Sequence, residues 1–176
     1  MGYSLGDTEM TKIRRSLLGL VLVALAAAQA LGAASTTSNV TVSASVAATA
    51  KLSLSSSTVS FANADPDTTP SITATEGAIT ITAKGKTSTG STITLTVLAA
   101  DDLKSGTDSI AITNLTWTSS GAGFVAGTMN KSSAQSVASW TNSGSRAGTQ
   151  TYALANSWSY PTGSYTATAT YTLTAP

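Results

Sequence analysis

The sequence contains no cysteine and no histidine among its 176 residues. The lack of thiols excludes a disulfide framework, a zinc–cysteine cluster and a cysteine nucleophile, and the lack of imidazole excludes a Ser-His-Asp triad and a His-ligated metal. Charged residues make up only 10% of the chain, against about 25% in an average soluble protein. The net charge of +1 gives no electrostatic footprint for nucleic acid or an anionic membrane. We therefore expect no metal, no cofactor and no nucleic-acid partner.

The first 34 residues have the pattern of a secretory signal peptide. From Met10 the chain is basic over residues 11–15, apolar from Leu17 to Ala28, and rich in small residues through Ala34. An apolar run of about a dozen residues suits a signal peptide and is short for the ~20 needed to span a bilayer. Residues 1–9 have no place in this pattern, and a mis-assigned start is one interpretation of them. An uncleaved anchor or a buried helix is the alternative for the apolar run.

This interpretation predicts where the protein resides. Cleavage after Ala34 would leave six basic and six acidic residues and no membrane span. We expect a protein that is secreted to the extracellular space or the cell surface, after transit through the periplasm if the bacterium is Gram-negative. A secreted domain of this size buries enough apolar area to fold without disulfides.

Beyond Ala34 the chain has a period of two and lacks the apolar spacing of an amphipathic helix. Thr or Ser alternates with Val, Ile or Ala over five to ten residues, and Gly, Pro, Asn and Asp punctuate these runs. That pattern is typical of half-buried strands joined by turns. It predicts ten strands: 39–46, 50–54, 58–62, 72–75, 78–83, 92–98, 109–117, 135–140, 149–154 and 164–174. Ten short strands indicate one all-β domain over residues 35–176, an antiparallel β-sandwich of about eight to ten strands.

Three of these strands separate apolar and hydroxyl side chains most cleanly. The last strand carries its apolar residues on one face and Thr on the other. The same holds for the strand around residue 95 and for the first strand. We expect the apolar faces of these three strands to form the core: Tyr165, Ala167, Ala169, Tyr171, Leu173; Ile93, Leu95, Val97; Val40, Val42, Ala44, Val46.

Two acidic groups are candidates for a metal site or a catalytic pair. Asn63, Asp65 and Asp67 alternate oxygen ligands as calcium loops do, but Pro66 interrupts the run and the distal Glu is not at the required spacing, so a plain Asx turn is favoured. Asp101 and Asp102 are adjacent in sequence. Neighbouring residues of a strand point to opposite faces, which argues against a glycosidase pair unless the backbone turns there. We expect no metal site and no enzymatic activity.

The aromatic residues of the second half allow two interpretations. Trp117, Trp140 and Trp158, with Tyr152 and Tyr160, could stack on sugar rings if they were exposed on one sheet face. A sandwich with only two Phe residues also needs large apolar side chains in its core. Burial in the core is the favoured interpretation of these aromatic residues, and a ligand-binding platform is the alternative.

Both ends of the chain resemble secreted bacterial surface proteins of the spore-coat-U-like and pilin-like β-sandwich class. The resemblance rests on 39–46 (NVTVSASV), 50–54 (AKLSL), 59–61 (VSF) and the closing run 163–173, and it covers about a quarter of the chain. Gly163 stands fourteen residues from the C-terminus, as in many chaperone–usher pilins, whereas their penultimate Tyr is Ala175 here. The resemblance implies an Ig-like fold, export to the cell surface, and a role as a fibre or coat subunit.

The residues themselves suggest how such a subunit would associate. A free N-terminal segment that alternates Val with Thr or Ser can add as a strand to the sheet edge of a neighbour. We expect residues 38–46 to act as a donor strand through Val40, Val42, Ala44 and Val46. The expected partners are further copies of the chain or other surface proteins. The alternative hypothesis is a carbohydrate-binding module whose partner is a polysaccharide.

Overall fold

The computed structural model describes residues 36–176. The signal-peptide interpretation of residues 1–34 lies outside the described residues. Every strand within residues 36–176 lies in the compact unit Ser45–Pro176. Residues 36–176 contain ten β-strands, one short 3₁₀ turn at Ile112–Asn114 and no α-helix. No helix in this part of the chain has the length and apolar character needed to cross a membrane.

The strands form antiparallel sheets, which confirms the predicted all-β, sandwich-like class. Their bounds in chain order are β1 Thr49–Leu54, β2 Ser71–Lys86, β3 Thr92–Ala99, β4 Leu103–Ser105, β5 Asp108–Ile110, β6 Leu115–Ser120, β7 Gly127–Thr128, β8 Gln135–Thr141, β9 Gly144–Ala155 and β10 Ala169–Thr174. One sheet has the order β1-β2-β9-β6-β7, a second has the order β10-β3-β8, and β4 and β5 form a hairpin.

The longest pairing joins β2 to β9 and organises the larger sheet. β2 alternates buried Ile79, Ile81 and Ala83 with exposed or half-buried Thr and Lys, as the two-residue period predicts. The register shifts between Thr73 and Ala78, where Gly77 adopts φ 68°. Between these pairs β2 advances five residues while β9 advances two. This irregularity merges the two strands predicted over 72–75 and 78–83 into one, because a Gly with positive φ lets the ladder resume after the extra residues.

The core lies between the two main sheets. β3 contributes Ile93, Leu95 and Val97, all fully buried, as predicted. Leu95 and Val97 pack with Met129 and with apolar residues from the larger sheet, from β8 and from the 3₁₀ turn, namely Ile79, Ile81, Leu115, Trp117, Tyr152, Val137 and Ile112. A smaller cluster of Ala83, Ile93 and Trp140 fills one end. Non-directional burial of this apolar surface is the main stabilising term.

The predicted first strand, 39–46, is not a strand. Residues 36–48 have no regular secondary structure, and β1 begins at Thr49. Val40, Val42 and Val46 are 83%, 89% and 76% exposed, and Ala44 is exposed, so their predicted place in the core is wrong. A strand requires a neighbour for its N–H and C=O groups, and no strand among the described residues pairs with this segment.

The other departures have local causes. The strand predicted to end at residue 83 continues to Lys86, because Gly85 leaves room for the Ile93 side chain, which would lie 2.6 Å from an added Cβ. The last strand is shorter than predicted and begins at Ala169; before it, Thr166 forms only an isolated bridge with Lys104. Ala167 and Ala169 are exposed, so their predicted place in the core is wrong, and Tyr165, Tyr171 and Leu173 are half-buried. Residues 58–62 form no strand, and the 3₁₀ turn divides the predicted strand 109–117.

Candidate functional site

The two long sides of the sandwich differ in how they are closed. On one side β7 and β8 approach, and the Val125 N–H donates to the Val137 carbonyl at 2.9 Å. On the other side lie β1 and β10, the outer strands of their sheets. No backbone hydrogen bond joins β1 to β10 in the described part of the chain, although Leu52 of β1 and Leu173 of β10 pack on the same small apolar cluster. Two strand edges there present unpaired backbone groups, and such edges are templates for a further strand.

A cleft of about 1710 Å³ opens at this second side. Its walls are β1 with the following segment 56–66, and the segment 160–168 with the start of β10. Neither segment contains a strand, since both are rich in Ser, Thr and Pro and lack a continuous pairing partner. The core therefore reaches the surface along a groove.

The floor of the cleft is apolar. Several buried core residues line it, together with half-buried residues from the rim: Leu52, Leu54, Val59, Phe61, Ile72, Ile79, Ala99, Leu103, Ile110, Ile112, Leu115, Met129, Tyr152, Leu154 and Tyr171. Ser, Thr and Asn side chains and Asp65 complete the lining. A groove with an apolar floor and polar groups around it can receive apolar side chains. With unpaired strand edges beside it, this groove has the properties needed for an extended peptide: main-chain partners and pockets for alternate side chains.

A polar cluster inside the core ties the edge strand β10 to the opposite sheet. The Tyr152 hydroxyl donates to the Gln150 Oε1 at 3.1 Å, and the Tyr171 hydroxyl also bonds to that oxygen and to the Tyr152 hydroxyl. Burial raises the pKa of both tyrosines, and the neighbouring Tyr152 adds to the effect on Tyr171. Both hydroxyls therefore stay protonated at physiological pH and act as hydrogen-bonding groups that hold Tyr171 against β9.

The predicted donor residues lie in a stretch without regular secondary structure. Val40, Val42, Ala44 and Val46 belong to the exposed segment that precedes β1. In an extended conformation these four side chains would share one face, and Thr41, Ser43 and Ser45 would share the other. The segment and the cleft are thus complementary in character, one offering exposed apolar side chains and the other an apolar groove.

The three tryptophans do not form a common platform. Trp117 is 2% exposed, its Nε1 donates to the Val125 carbonyl at 3.0 Å, and its ring packs 6.2 Å from that of Tyr152. Trp140 is 6% exposed and packs in the smaller cluster, with the Arg146 guanidinium 5.8 Å from its ring centroid. The alternative prediction that Trp117 and Trp140 form a ligand platform is therefore wrong, because a sugar ring cannot reach a buried indole face.

Trp158 differs from the other two. It is 71% exposed, and its Nε1 donates to Asp67 Oδ1 at 3.0 Å. The Asn156 amide donates to the Ala64 and Thr69 carbonyls at 3.1 and 3.0 Å and holds the loop that carries Asp67. An exposed indole fixed at its edge can stack a flat apolar surface on its free face.

The acidic groups have structural partners. The Asp67 N–H donates to Asp65 Oδ1 at 2.9 Å, which is the geometry of an Asx turn. Lys131 contacts Asp101 at 3.1 Å and Asp102 at 2.6 Å, and Asp102 also accepts the Ile112 N–H at 3.0 Å. The Asp102 N–H, followed by Lys131, lowers the pKa of the Asp101 carboxyl group, and Lys131, followed by the Ile112 N–H, lowers the pKa of the Asp102 carboxyl group. No cluster of three metal-ligating side chains occurs within residues 36–176.

Comparison of the sequence with protein-family models and with curated proteins finds no match. The candidate site is therefore described by its geometry alone. It combines an antiparallel β-sandwich whose β1 and β10 edges are not paired with each other, an apolar cleft beside those edges, and an exposed segment of alternating apolar and hydroxyl residues. The sequence pattern predicts the segment but not the cleft. The residues that line the cleft are distant from one another in sequence, and most of them have the alternation expected of core strands.

Proposed function

We propose that this chain is a non-catalytic, secreted bacterial surface protein, a fibre or coat subunit that assembles by donation of a strand. Residues 38–46 of one copy would enter the cleft of another and pair with the free edge of β10. Val40, Val42, Ala44 and Val46 would face the apolar floor, and the hydroxyl residues would face solvent. The observation that carries the proposal is the coexistence of an open apolar cleft and an exposed alternating segment.

Burial of the donor side chains favours such an exchange. Transfer of one exposed Val side chain into an apolar groove contributes about 1.5–3 kcal/mol, and three of the four donor residues are Val. Backbone hydrogen bonds with β10 would add to this gain by satisfying edge groups that otherwise face solvent. Ordering the segment opposes the gain, so the net affinity depends on how well the side chains fit.

The test is deletion of residues 38–46. The shortened protein should fold, because the deleted residues are exposed and contribute nothing to the core. It should remain a monomer by size-exclusion chromatography and form no fibres by electron microscopy. A synthetic peptide of residues 38–46 should bind the shortened protein. A peptide of the same composition with its alternation scrambled is the control. Unchanged assembly after the deletion, or equal binding of both peptides, would remove the donor-strand proposal.

A second candidate is carbohydrate binding at Trp158, and its exposure favours it. Sugar rings stack on exposed aromatic faces, and Asp67 and Asn156 are polar groups close to this indole. Because the other two tryptophans are buried, a bound glycan should change the fluorescence of Trp158 alone. We expect quenching by any wall polysaccharide that binds there, and loss of that response in Trp158→Phe. No response across a glycan panel would eliminate this candidate.

A further inference from the structure

The charged side chains of this protein are sorted by position. Within the described residues the ion pairs join Lys104 and Lys131 to Asp101 and Asp102. The remaining charges form no ion pair in that part of the chain: the basic residues are Lys51, Lys84, Lys86 and Arg146, and the acidic residues are Asp65, Asp67, Glu76 and Asp108. Of these, Lys51, Lys84 and Lys86 lie towards the C-terminal end of the long strand β2, and Asp65, Asp67 and Glu76 lie towards its N-terminal end.

The basic end is defined by Lys51, Lys84 and Lys86, all exposed. Lys84 lies directly opposite Lys51 in the β1–β2 register, and Lys86 follows two residues later on the same face of β2. Like charges in direct cross-strand opposition are destabilising. Nothing inside the described fold offsets this repulsion, although the chain has few charges with which to build a cationic surface.

The acidic end is defined by Asp65, Asp67 and Glu76, also exposed. Asp65 and Asp67 occupy the loop before β2, and Glu76 lies at its bulge, eight residues from Lys84. At about 3.3 Å per residue, Glu76 and Lys84 are roughly 25 Å apart. Glu76 accepts the Ser60 N–H at 2.8 Å, which lowers the pKa of its carboxyl group and keeps it ionised.

Chain connectivity relates both ends to the cleft. The segment 38–46 runs into β1 at Thr49, which pairs with Lys86, so the donor segment joins the fold at the basic end. Asp65 lines the cleft together with Trp158, so a carboxylate stands at the rim of the acceptor groove. If the last residues of an inserted donor strand lie near that rim, the basic end of the donating copy faces the acidic end of the accepting copy.

We propose that the basic end of one copy binds the acidic end of the next, so that copies associate head to tail with one orientation of the donor strand. This proposal rests on the donor-strand function and adds a partner surface to it. The opposite orientation would bring the donor's lysines towards the acceptor's lysines. The contact is exposed and hence weak, and its main effect is on the association rate.

The first measurement is the salt dependence of wild-type assembly, followed by light scattering. Exposed charges are screened beyond about 10 Å at 0.1 M salt and beyond about 3 Å at 1 M. The initial rate should fall roughly tenfold or more between about 20 mM and about 500 mM NaCl, as for other electrostatically steered associations. A rate that does not change, or that rises, across this range overturns the charge contact.

The second measurement uses charge reversal at each end. Lys84→Glu/Lys86→Glu changes the basic end from +3 to −1, and Asp67→Lys/Glu76→Lys changes the acidic end from −3 to +1. Either variant alone should assemble at least about tenfold more slowly than wild type at low salt. An equimolar mixture should recover the rate, because each end then meets its opposite. Thr80→Glu/Thr118→Glu, at exposed mid-sheet positions, is the control and should assemble as wild type does.

The outcomes separate this proposal from the one on which it rests. Fibres that need residues 38–46 but ignore salt overturn only the charge contact. Salt-sensitive end-to-end association that persists after deletion of 38–46 overturns only the donor strand. A mixture that stays as slow as its components overturns the charge contact if circular dichroism shows both variants folded. If either variant is unfolded, the wild-type salt dependence decides.

Discussion

Val42→Asp should abolish assembly and leave the folded protein as stable as its parent. Val42 is almost fully exposed in the single chain, so its replacement disturbs no core contact. In the assembled state the same side chain would face the apolar floor of the cleft. The substitution removes about 1.5–3 kcal/mol of apolar burial and adds the cost of desolvating a carboxylate. Together these predict a loss of affinity of roughly 100-fold or more.

The matched control is Ser43→Asp, one residue along the segment. It introduces the same charge into the same exposed segment, but on the opposite face of the extended strand, where it stays in water. Assembly should therefore continue, as measured by the yield of fibres after ultracentrifugation. Equal effects of the two substitutions would show that residues 38–46 do not insert as a strand with one face inwards. A large drop in the melting temperature of the Val42→Asp monomer would show that Val42 has a structural contact.

Trp117→Ala should destabilise the fold by about 3–5 kcal/mol, the range for truncation of a large aromatic side chain in a core. Trp117 packs against Tyr152 and donates its indole N–H to the Val125 carbonyl. Gly127 lies opposite it in the β6–β7 register, directly against the indole ring, where even a Cβ would collide. The absence of a side chain at residue 127 is thus part of the Trp117 pocket, and truncation of the indole leaves a cavity between β6 and β7.

The measurement is urea denaturation followed by circular dichroism, with Trp158→Ala as the control. Trp158 is exposed, and its replacement should change the free energy of unfolding by less than about 0.5 kcal/mol. A loss below about 1 kcal/mol in Trp117→Ala would contradict the placement of Trp117 in the core, because a buried indole cannot be removed at so small a cost.

The strand content of this fold follows from residue order because a pleated strand turns alternate side chains to opposite faces. The sequence therefore predicts the strands around Leu95 and Ile81 and the face of each that is buried, since their hydroxyl residues fit a solvent-facing or half-buried position without charge. At 39–46 the same period predicted a core strand that the structure does not contain. Alternation describes what a segment can do if it meets a sheet, and it carries no information on whether a neighbour exists.

The sequence does not predict which of the three tryptophans are buried. Trp117, Trp140 and Trp158 have similar Ser- and Thr-rich neighbours, yet only the last is exposed. Trp117 is buried because Gly127 and Tyr152 make room for it, and Trp140 is buried because Ala83 and Ile93 do. These partners come from other strands, so the outcome depends on pairings between distant parts of the chain.

By its sequence alone, this protein is determined to be an all-β chain without thiol or imidazole chemistry, because composition restricts the available side chains and a two-residue period suits only extended backbone. The tertiary structure alone decided that β1 and β10 remain unpaired at one side, that the core opens there as a cleft, and that the free charges separate along β2. Each of these depends on which strands become neighbours, a property of the packed sheets that no local stretch of residues encodes.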